Sequence, residues 1–148
     1  MKVLAANRKA RFEYEILERF TAGITLTGTE VKSLRAGRAN ITDGYVAFDH
    51  GEAFLVDVHI SPYENAGYAS HEPTRRRKLL LHKREIHRLH GKVTEKGLTV
   101  VPLAIGIEGN WIKVELALGR GKKLHDKRET IRRRTLDREA EAALKDRR

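Results

Sequence analysis

The sequence contains no cysteine, and this absence removes several classes of structure and chemistry. Disulfide bonds and thiolate-ligated metal sites are excluded, and a chain without cysteine has no need of an oxidising compartment. No apolar run approaches the roughly 20 residues that span a bilayer. The first residues, MKVLAANRKARFEYE, lack the apolar segment of a signal peptide. We therefore expect a cytoplasmic protein with no membrane partner.

Acidic residues are in deficit, with 20 Asp or Glu against 30 Lys or Arg in a chain of 148 residues, which gives a formal net charge of +10. An enzyme acting on neutral substrates does not need this excess, so the expected partner is a polyanion. Nucleic acid and anionic lipid are both polyanions, but the lack of a long apolar segment favours nucleic acid. The sequence length fits one domain.

The positive charge is concentrated at the C-terminus. Residues 119–148 hold twelve Lys or Arg and six Asp or Glu, so more than half of the net charge lies in one fifth of the chain. We predict a body over residues 1–118 and a basic tail over residues 119–148. Repulsion between neighbouring arginines keeps such a tail disordered alone, whereas i, i+4 pairs such as Glu129 with Arg133 favour a helix once phosphates neutralise the arginines.

The first half of the body has strand and helix patterns in succession. Alternating apolar and charged residues predict a strand over residues 12–27, interrupted by a bulge or turn at residues 17–20. Thr29 is then a candidate N-cap for a short helix, and Gly37 is a candidate stop.

The second half of the body alternates β-rich runs with turn signals. Residues 49–52 and 108–110 each separate two runs rich in β-branched or aromatic residues, so each predicts a hairpin. Residues 61–77 predict a long surface loop, and residues 82–90 a helix that stops at Gly91. Together these elements predict a mainly β protein: a small OB-like antiparallel barrel, closed or nearly closed, with short packed helices. Periodicity alone fits a sandwich nearly as well.

Three basic clusters in the body are candidate RNA-binding sites, because cations at helical or loop spacing can follow a phosphate backbone. A solvated basic surface explains any single cluster equally well, but three clusters and a basic tail favour nucleic acid. The first cluster is Asn7, Arg8, Lys9 and Arg11, the second is Lys32, Arg35 and Arg38, and the third is Arg75, Arg76, Arg77 and Lys78. Residues of the second cluster are three apart, so they share roughly one face if the helix continues through all of them.

Catalytic and metal sites have weaker support. His82, His87 and His90 are close in sequence, but two histidines three residues apart are too few for a structural zinc site without thiolates. A general acid and base pair could be formed from His59, Glu64, His71 and Glu72, but no distinctive spacing singles these residues out. We expect no enzyme activity, no cofactor and no metal, and a basic ribonuclease is the rival hypothesis of the enzyme class.

Long motifs resemble the small protein B family, the tmRNA-binding proteins of bacterial trans-translation. They occur in order along almost the whole chain: NRKARFEYEI from Asn7, AGITLTGTEVKSLRAGRANITDGYV at residues 22–46, HISPYE from His59, PTRRRKLLLHKREI from Pro73, and GRGKKLHDKR from Gly119. The resemblance implies an OB-like body that binds the tRNA-like domain of tmRNA.

The resemblance also implies roles for individual residues of the body. Asn7, Leu80 and Lys113 match positions of the family's RNA-binding face. Leu80 follows the basic cluster at residues 75–78, so it could pack against an unstacked base while the cations hold phosphates, although burial in the core explains a leucine equally well. Many members carry glutamate on this face where this chain has Thr21.

In the tail, the resemblance implies insertion into the decoding centre and the empty mRNA channel of the small ribosomal subunit, where the tail becomes helical. Gly121, Lys122 and Lys123 lead into the element Asp126, Lys127 and Arg128, and the preceding His125 matches a residue that stacks on a base. The implied function is a non-catalytic adaptor that brings tmRNA to stalled ribosomes for rescue and peptide tagging. Alanyl-tRNA synthetase and elongation factor Tu are further implied partners through the tmRNA complex. The structural alternative is a ribosomal or ribosome-assembly RNA-binding protein.

Overall fold

One curved antiparallel sheet forms the body of the protein. A computed structural model describes residues 1–63 and 70–122. In these residues the strands are β1 Lys2–Ala6, β2 Tyr14–Ile24, β3 Ala39–Asn40, β4 Tyr45–Asp49, β5 Glu52–Val56, β6 His59–Ile60, β7 Arg77–Leu80, β8 Thr99–Glu108 and β9 Trp111–Gly121, and the helices are α1 Ala10–Glu13, α2 Gly28–Arg35 and α3 Lys83–Lys96. Seven strands pair in the order β1-β8-β9-β2-β7-β5-β4, while β3 pairs only with β6. The predicted mainly β class is confirmed.

The sheet is not closed into a barrel, which corrects the closed form of the prediction. In the described part of the chain no strand pairing joins β1 to β4, the two ends of the seven-stranded sheet. The sheet is also weakly joined in its middle, where β2 pairs with β7 only at Gly23 and Ile24. Helix α3 packs against β5 and β8, and β4 curls back against β8, so side chains rather than a continuous hydrogen-bond ladder enclose the core.

Both predicted hairpins are confirmed. Asp49 pairs with Glu52, and the two intervening residues, His50 and Gly51, have φ of 50° and 76°. Positive φ at both central residues is the requirement of a tight type I′ turn, and glycine meets it without steric cost. The β8–β9 hairpin turns at residues 109–110, where Gly109 has φ of 60°.

The first helices differ from the sequence prediction in their boundaries. Residues 10–13 form α1, so β2 begins at Tyr14 and not at residue 12. The predicted bulge is confirmed between Ile16 and Glu18. The N-cap of α2 is Thr27, not Thr29: its side chain accepts from the Glu30 N–H, and the Glu30 carboxylate accepts from the Thr27 N–H at 2.8 Å. This reciprocal pair is a capping box, whose spacing Thr29 does not have.

Two later elements are longer than predicted. Helix α3 continues through Gly91 to Lys96 and ends at Gly97, which has φ of 63°. The helix passes through Gly91 because its next turn still packs Val93 against the core. Strand β9 runs to Gly121, so residues 119–121, which the sequence places in the tail, pair with β2. No helix among the described residues is both long and apolar enough to span a membrane.

Candidate nucleic-acid interface

The outer face of the sheet carries a groove built around one glycine. Gly23 of β2 pairs with Leu80 of β7 on one side and with Lys113 of β9 on the other. Directly paired residues of an antiparallel sheet point to the same face, so Leu80 and Lys113 flank a position that has no side chain. A Cβ at Gly23 would lie 3.2 Å from the Leu80 Cβ. The glycine therefore leaves open a slot that any other residue would partly fill.

Two large apolar side chains border this slot. Leu80 is 56% exposed and Trp111 is 74% exposed, although both lie on strands of the main sheet. The groove has a volume of about 250 Å³ and is lined by Gly23, Ile24, Leu26, Val31, Leu80, Trp111, Ile112 and Lys113; we call it the Leu80 groove. Exposed apolar surface of this size next to cations is typical of a recognition site rather than of a solvated surface. The exposure of Leu80 removes core burial as its explanation.

A second depression lies on the other side of Leu80. Its volume is about 480 Å³, and its lining includes Thr21, Lys78, His82 and Lys83. Lys78 Nζ lies 3.2 Å from Glu52 Oε1, but both side chains are about half exposed, so the ion pair contributes little and leaves Lys78 accessible to another anion. Leu80 is thus an apolar ridge between two depressions with lysines at their borders.

Arg77 is the one candidate of the 75–78 cluster that the structure places in the core and not at the surface. Its side chain is fully buried, and its Nε donates to Glu30 Oε2 while Nη1 and Nη2 donate to the carbonyls of Val58 and Pro73 at 2.8 and 2.9 Å. A buried guanidinium with these partners has no donor to offer a phosphate in this structure. The strand alternation explains the difference: Arg77 and Leu79 point into the core, and Lys78 and Leu80 point out.

Glu30 holds Arg77 in the core. Burial disfavours the charged carboxylate, but hydrogen bonds from Arg75, from the Thr27 N–H and from Arg77 outweigh it and hold the pKa of Glu30 below its ordinary value. Burial lowers the pKa of Arg77, against the opposing effect of Glu30. The lowered pKa favours the ionised form of Glu30, and a guanidinium such as that of Arg77 is not deprotonated in proteins. Arg75 Nε donates to Glu30 Oε1 at 3.0 Å, so this candidate also has a structural role, while its side chain remains partly exposed.

The first basic cluster divides between buried and exposed residues. Asn7 is only 9% exposed, and its Nδ2 donates to the Pro102 carbonyl at 3.0 Å, so it anchors the chain between β1 and α1 to β8. Arg8 and Lys9 are exposed. A depression of about 320 Å³ opens beside them, lined by Asn7, Arg8, Arg11, Arg19, Leu103 and Glu115. Three arginines around one concave surface are suited to a phosphate group.

The second basic cluster does not share one helix face as predicted. Lys32 and Arg35 lie on α2 and are exposed, whereas Arg38 follows Gly37, whose φ of 73° turns the chain away from the helix axis. Lys32 Nζ lies 5.2 Å from the centre of the Tyr63 ring, within the range of a cation–π contact. Lys32 and Arg35 remain available for a phosphate backbone, and Arg38 lies on the following turn.

The tail candidates lie mostly outside the described residues. Gly121 ends β9, and the Lys122 N–H donates to the Glu13 carbonyl at 2.9 Å, which fixes where the chain leaves the body. Five of the predicted tail residues lie outside the described residues: Lys123, His125, Asp126, Lys127 and Arg128.

The histidines of the described residues were candidates for a metal site, and Glu64 of the acid–base candidates lies outside the described residues. No group of three or more His, Asp or Glu in the described part of the chain is placed to hold a metal ion. His90 stacks on Phe48 with ring centroids 5.2 Å apart. The His71 ring is hydrogen-bonded through both nitrogens, to Thr29 Oγ1 at 2.8 Å and to the Ile60 carbonyl at 2.9 Å.

Sequence reasoning missed three residues of the candidate interface. Trp111 is the single tryptophan of the chain and directly follows the β8–β9 turn, and that position was a usable signal for an exposed aromatic. Gly23 lies inside a strand, where a glycine can mark a close approach of another molecule. Arg19 had no local signal, because only the pairing of β2 with β9 brings it beside Glu115, at 3.7 Å.

The exposed face combines cations that suit phosphates with apolar and aromatic surface that suits unstacked bases. These features define the protein as a basic, antiparallel β protein of the RNA-binding class.

Comparison with known proteins then gives the family. The family model described as SmpB protein matches residues 4–146. The SsrA-binding proteins of Gloeobacter violaceus and Gloeothece citriformis are 56% and 57% identical to this chain, over 97% of its length and 95% and 94% of theirs. A solved structure described as "tmRNA-SmpB: a journey to the center of the bacterial ribosome" is similar with a TM-score of 0.70 and 52% identity, covering 86% of this chain and 94% of that one. The chain belongs to the SmpB family, which confirms the resemblance seen in its motifs.

Proposed function

We propose that this protein is a non-catalytic adaptor that binds tmRNA, also called SsrA, through its tRNA-like domain and delivers it to stalled ribosomes. The observation that carries the proposal is the Leu80 groove with its bordering lysines, in a chain whose relatives are SsrA-binding proteins over nearly their whole length. The similar solved structure combines tmRNA, SmpB and the bacterial ribosome in its description. The same partners are proposed here.

The groove suggests how the body holds the RNA. An unstacked base packs against Leu80 and Trp111 over Gly23, while Lys113 and Lys78 hold the adjacent phosphates. Each base stacked on an aromatic side chain contributes about 1 to 3 kcal/mol, and the phosphates add affinity that falls as salt rises. The depression lined by Arg8, Arg11 and Arg19 offers a further phosphate contact on the same sheet.

In this proposal the tail makes the contacts with the ribosome. It leaves the body at Lys122 and, in this proposal, enters the decoding centre and the empty mRNA channel, where rRNA phosphates neutralise its arginines and permit a helix. His125 stacks on a base of the decoding centre, and Asp126, Lys127 and Arg128 contact its backbone. Alanyl-tRNA synthetase and elongation factor Tu meet the protein through tmRNA, and all these steps take place in the cytoplasm.

A filter-binding competition tests the proposed partner. Labelled tmRNA bound to the purified full chain should be displaced by unlabelled tmRNA at concentrations far below those at which bulk tRNA displaces it. Equal competition by bulk tRNA would reject tmRNA as the specific partner and favour a general RNA-binding role in ribosome assembly. Intact tmRNA recovered after incubation is expected, whereas cleavage by the purified protein would favour the ribonuclease hypothesis.

A substitution series at His125 tests the tail. His125→Ala should lower tagging on stalled ribosomes about tenfold or more, because a lost base stack costs about 1 to 3 kcal/mol. His125→Tyr keeps a flat ring and should retain most of the tagging. Binding of free tmRNA should be the same for all three proteins. Wild-type tagging by His125→Ala would show that the tail acts only as a polycation.

A further inference from the structure

Glu115 is a carboxylate in the middle of the candidate RNA surface. It lies on β9 two residues after Lys113 and pairs directly with Thr21 of β2. Side chains two residues apart on a strand point to the same face, about 7 Å apart, so Glu115 shares the face of the Leu80 groove. It also lines the depression of about 320 Å³ that contains three arginines. An RNA strand that passes from that depression to the groove therefore crosses Glu115.

The Glu115 carboxylate has free hydrogen-bond acceptors. Its ion-pair partner among the described residues is Arg19, whose Nη1 lies 3.7 Å from Glu115 Oε1, too far for a hydrogen bond. Both side chains are partly exposed, so this ion pair contributes little. No described residue donates a hydrogen bond to the carboxylate. A carboxylate repels phosphates, so free acceptors on this surface suggest a ligand group that donates hydrogen bonds.

A concave space lies beside Glu115. Its volume is about 300 Å³, and its lining residues are Met1, Arg19, Phe20, Thr21, Glu108 and Glu115. Lys113 Nζ donates to Glu108 Oε2 at 3.3 Å, so the second carboxylate of this space already has a hydrogen-bond partner. Spaces of this size hold small planar ligands in other proteins.

The base edges of unpaired RNA offer the donors that a carboxylate needs. Guanine has two adjacent donors on its Watson–Crick edge, N1–H and N2–H, beside the acceptor O6. A carboxylate can accept from both at once, as it does from a guanidinium. Adenine, cytosine and uracil each place an acceptor next to their one donor group on this edge, so they would set a lone pair against the second carboxylate oxygen. The free acceptors therefore fit guanine.

Thr21 supplies the remaining partner of guanine. It is exposed, and it lies directly opposite Glu115 in the antiparallel pair, where Cβ atoms are about 5 Å apart. Its hydroxyl can donate to O6 while Glu115 accepts from N1–H and N2–H. One donor beside two acceptors is the complement of the guanine edge.

We propose that Glu115 and Thr21 bind the Watson–Crick edge of an unpaired guanine of tmRNA. The inference rests on the proposed function, because the arginine-lined depression and the Leu80 groove hold the same RNA on either side of this pair. The cations contact phosphates and give affinity for any RNA, whereas Glu115 and Thr21 give a preference for one base.

Glu115→Gln tests the proposal through the sign of its effect on the Kd for purified tmRNA. If Glu115 does not contact RNA, removing a negative charge from this surface leaves binding unchanged or tighter. The proposal predicts the opposite, a Kd about tenfold higher, because the amide places a donor where guanine needs an acceptor. Glu95→Gln is the matched control: it removes the same charge from an exposed position of α3, outside the described depressions, and should leave the Kd within twofold.

Chemical probing identifies the base. Kethoxal reacts with N1 and N2 of unpaired guanines, so the parent protein should protect at least one guanine of tmRNA that becomes reactive in the complex with Glu115→Gln. The other protected positions should be the same in both complexes.

Thr21→Val tests the second contact, because valine has nearly the same shape and no hydroxyl. We expect a rise of about threefold in the Kd, smaller than that of Glu115→Gln, since a neutral hydrogen bond is weaker than a charge-assisted one. An unchanged Kd would remove Thr21 from the site.

The salt dependence of tmRNA binding separates base contact from an effect on Arg19. Arg19→Gln should lower the slope of log affinity against log salt by roughly 0.7, the contribution of one phosphate contact to a single strand. Glu115→Gln should keep the parent slope, because no phosphate contact is lost.

Four results would overturn the proposal. Unchanged or tighter tmRNA binding by a folded Glu115→Gln would show that the carboxylate does not contact RNA. Weaker binding with the guanine protection of the parent would reject guanine as the ligand. A salt slope lowered as in Arg19→Gln would make Glu115 a positioning residue for that arginine. Failure of the parent chain to bind tmRNA would reject the proposed function itself and this inference with it.

Discussion

At the scale of single residues, Glu30 is a buried carboxylate that joins three parts of the structure. Its carboxylate caps α2, holds the partly exposed Arg75 and neutralises the buried Arg77. Burying two charges is costly, and the pair is tolerated because each of the three Arg77 nitrogens donates to a carbonyl or carboxylate oxygen. The Glu30 network therefore links the α2 capping box to β7, the strand that presents Lys78 and Leu80.

The first prediction concerns this network. Glu30→Gln leaves Arg77 charged and buried without its counter-ion, so we expect the free energy of unfolding to fall by about 3 to 5 kcal/mol. Urea unfolding followed by circular dichroism measures the change. Glu52→Gln is the control, because it breaks an exposed ion pair with Lys78 and should cost less than about 1 kcal/mol. Equal stability of the Glu30→Gln and parent proteins would contradict the role of Glu30.

The second prediction concerns the exposed aromatic of the Leu80 groove. Trp111→Ala should weaken tmRNA binding about tenfold or more, since a base stacked on an aromatic contributes about 1 to 3 kcal/mol. The fold should be unaffected, because Trp111 is 74% exposed. Tyr45→Ala is the control: Tyr45 is 41% exposed on β4, outside the groove, and its loss should not change the Kd. Unchanged binding by Trp111→Ala would place the RNA elsewhere on the sheet.

At the scale of elements, β9 determines where the body ends. The strand pairs with β2 through residues 119–121, and the Lys122 N–H extends this pairing by one hydrogen bond to Glu13. A Cβ at Gly119 would lie 3.1 Å from the Glu15 carbonyl oxygen, so this close strand approach depends on glycine. The final pairs between β9 and β2 thus hold the point where the tail leaves the body next to the end of α1.

The third prediction separates strand from tail by two truncations. A chain ending at Lys122 should keep the Tm and tmRNA affinity of the full protein and lose tagging, because the whole sheet is retained. A chain ending at Leu118 also loses the β9 pairs with Tyr14, Glu15 and Ile16. Each lost backbone hydrogen bond contributes about 1 kcal/mol, so its Tm should fall by about 5 °C or more. Equal Tm values for the two chains would show that residues 119–121 add nothing to the sheet.

At the scale of the whole molecule, stability depends on carboxylates that are more acidic in the folded protein than in the unfolded chain. The hydrogen bond from Arg88 lowers the pKa of Glu18. At Glu30, burial opposes ionisation, and the bonds from Arg75, Thr27 and Arg77 lower the pKa in spite of it. Folding therefore favours the ionised forms of both groups, and this part of the stability requires them to be deprotonated.

The fourth prediction follows from that linkage. The contribution of Glu30 and Glu18 should be complete above the pKa of an unfolded glutamate, about 4.3, and should be lost as the pH falls through their lower folded values. Thermal unfolding between pH 7 and pH 3 should show a Tm that declines below about pH 4.5. In Glu30→Gln the decline should be shallower, because one of the linked protonations is gone. A decline as steep as that of the parent would assign the acid sensitivity to other groups.

Particular elements show how far the sequence could predict this structure. Both hairpins were predicted correctly from Gly51 and Gly109. A tight turn requires positive φ, and a glycine between two β-rich runs marks that position in the sequence itself. Gly91 misled the prediction of α3, because the same residue type ends helices and also occurs within them. The motif identified Leu80 as a candidate, but only its exposure in the folded structure separates a recognition residue from a core leucine.

The sequence by itself determined the basic charge, the mainly β class, the hairpin turns and the family, because charge, turn propensity and motifs are properties of single residues and their near neighbours. The tertiary structure decided which candidates can reach RNA. Arg77 and Lys78 are adjacent and both basic, yet Arg77 meets Glu30, 47 residues earlier in the chain, inside the core, while Lys78 faces solvent. It likewise decided that the sheet stays open. Burial depends on contacts between distant segments, and no local pattern contains them.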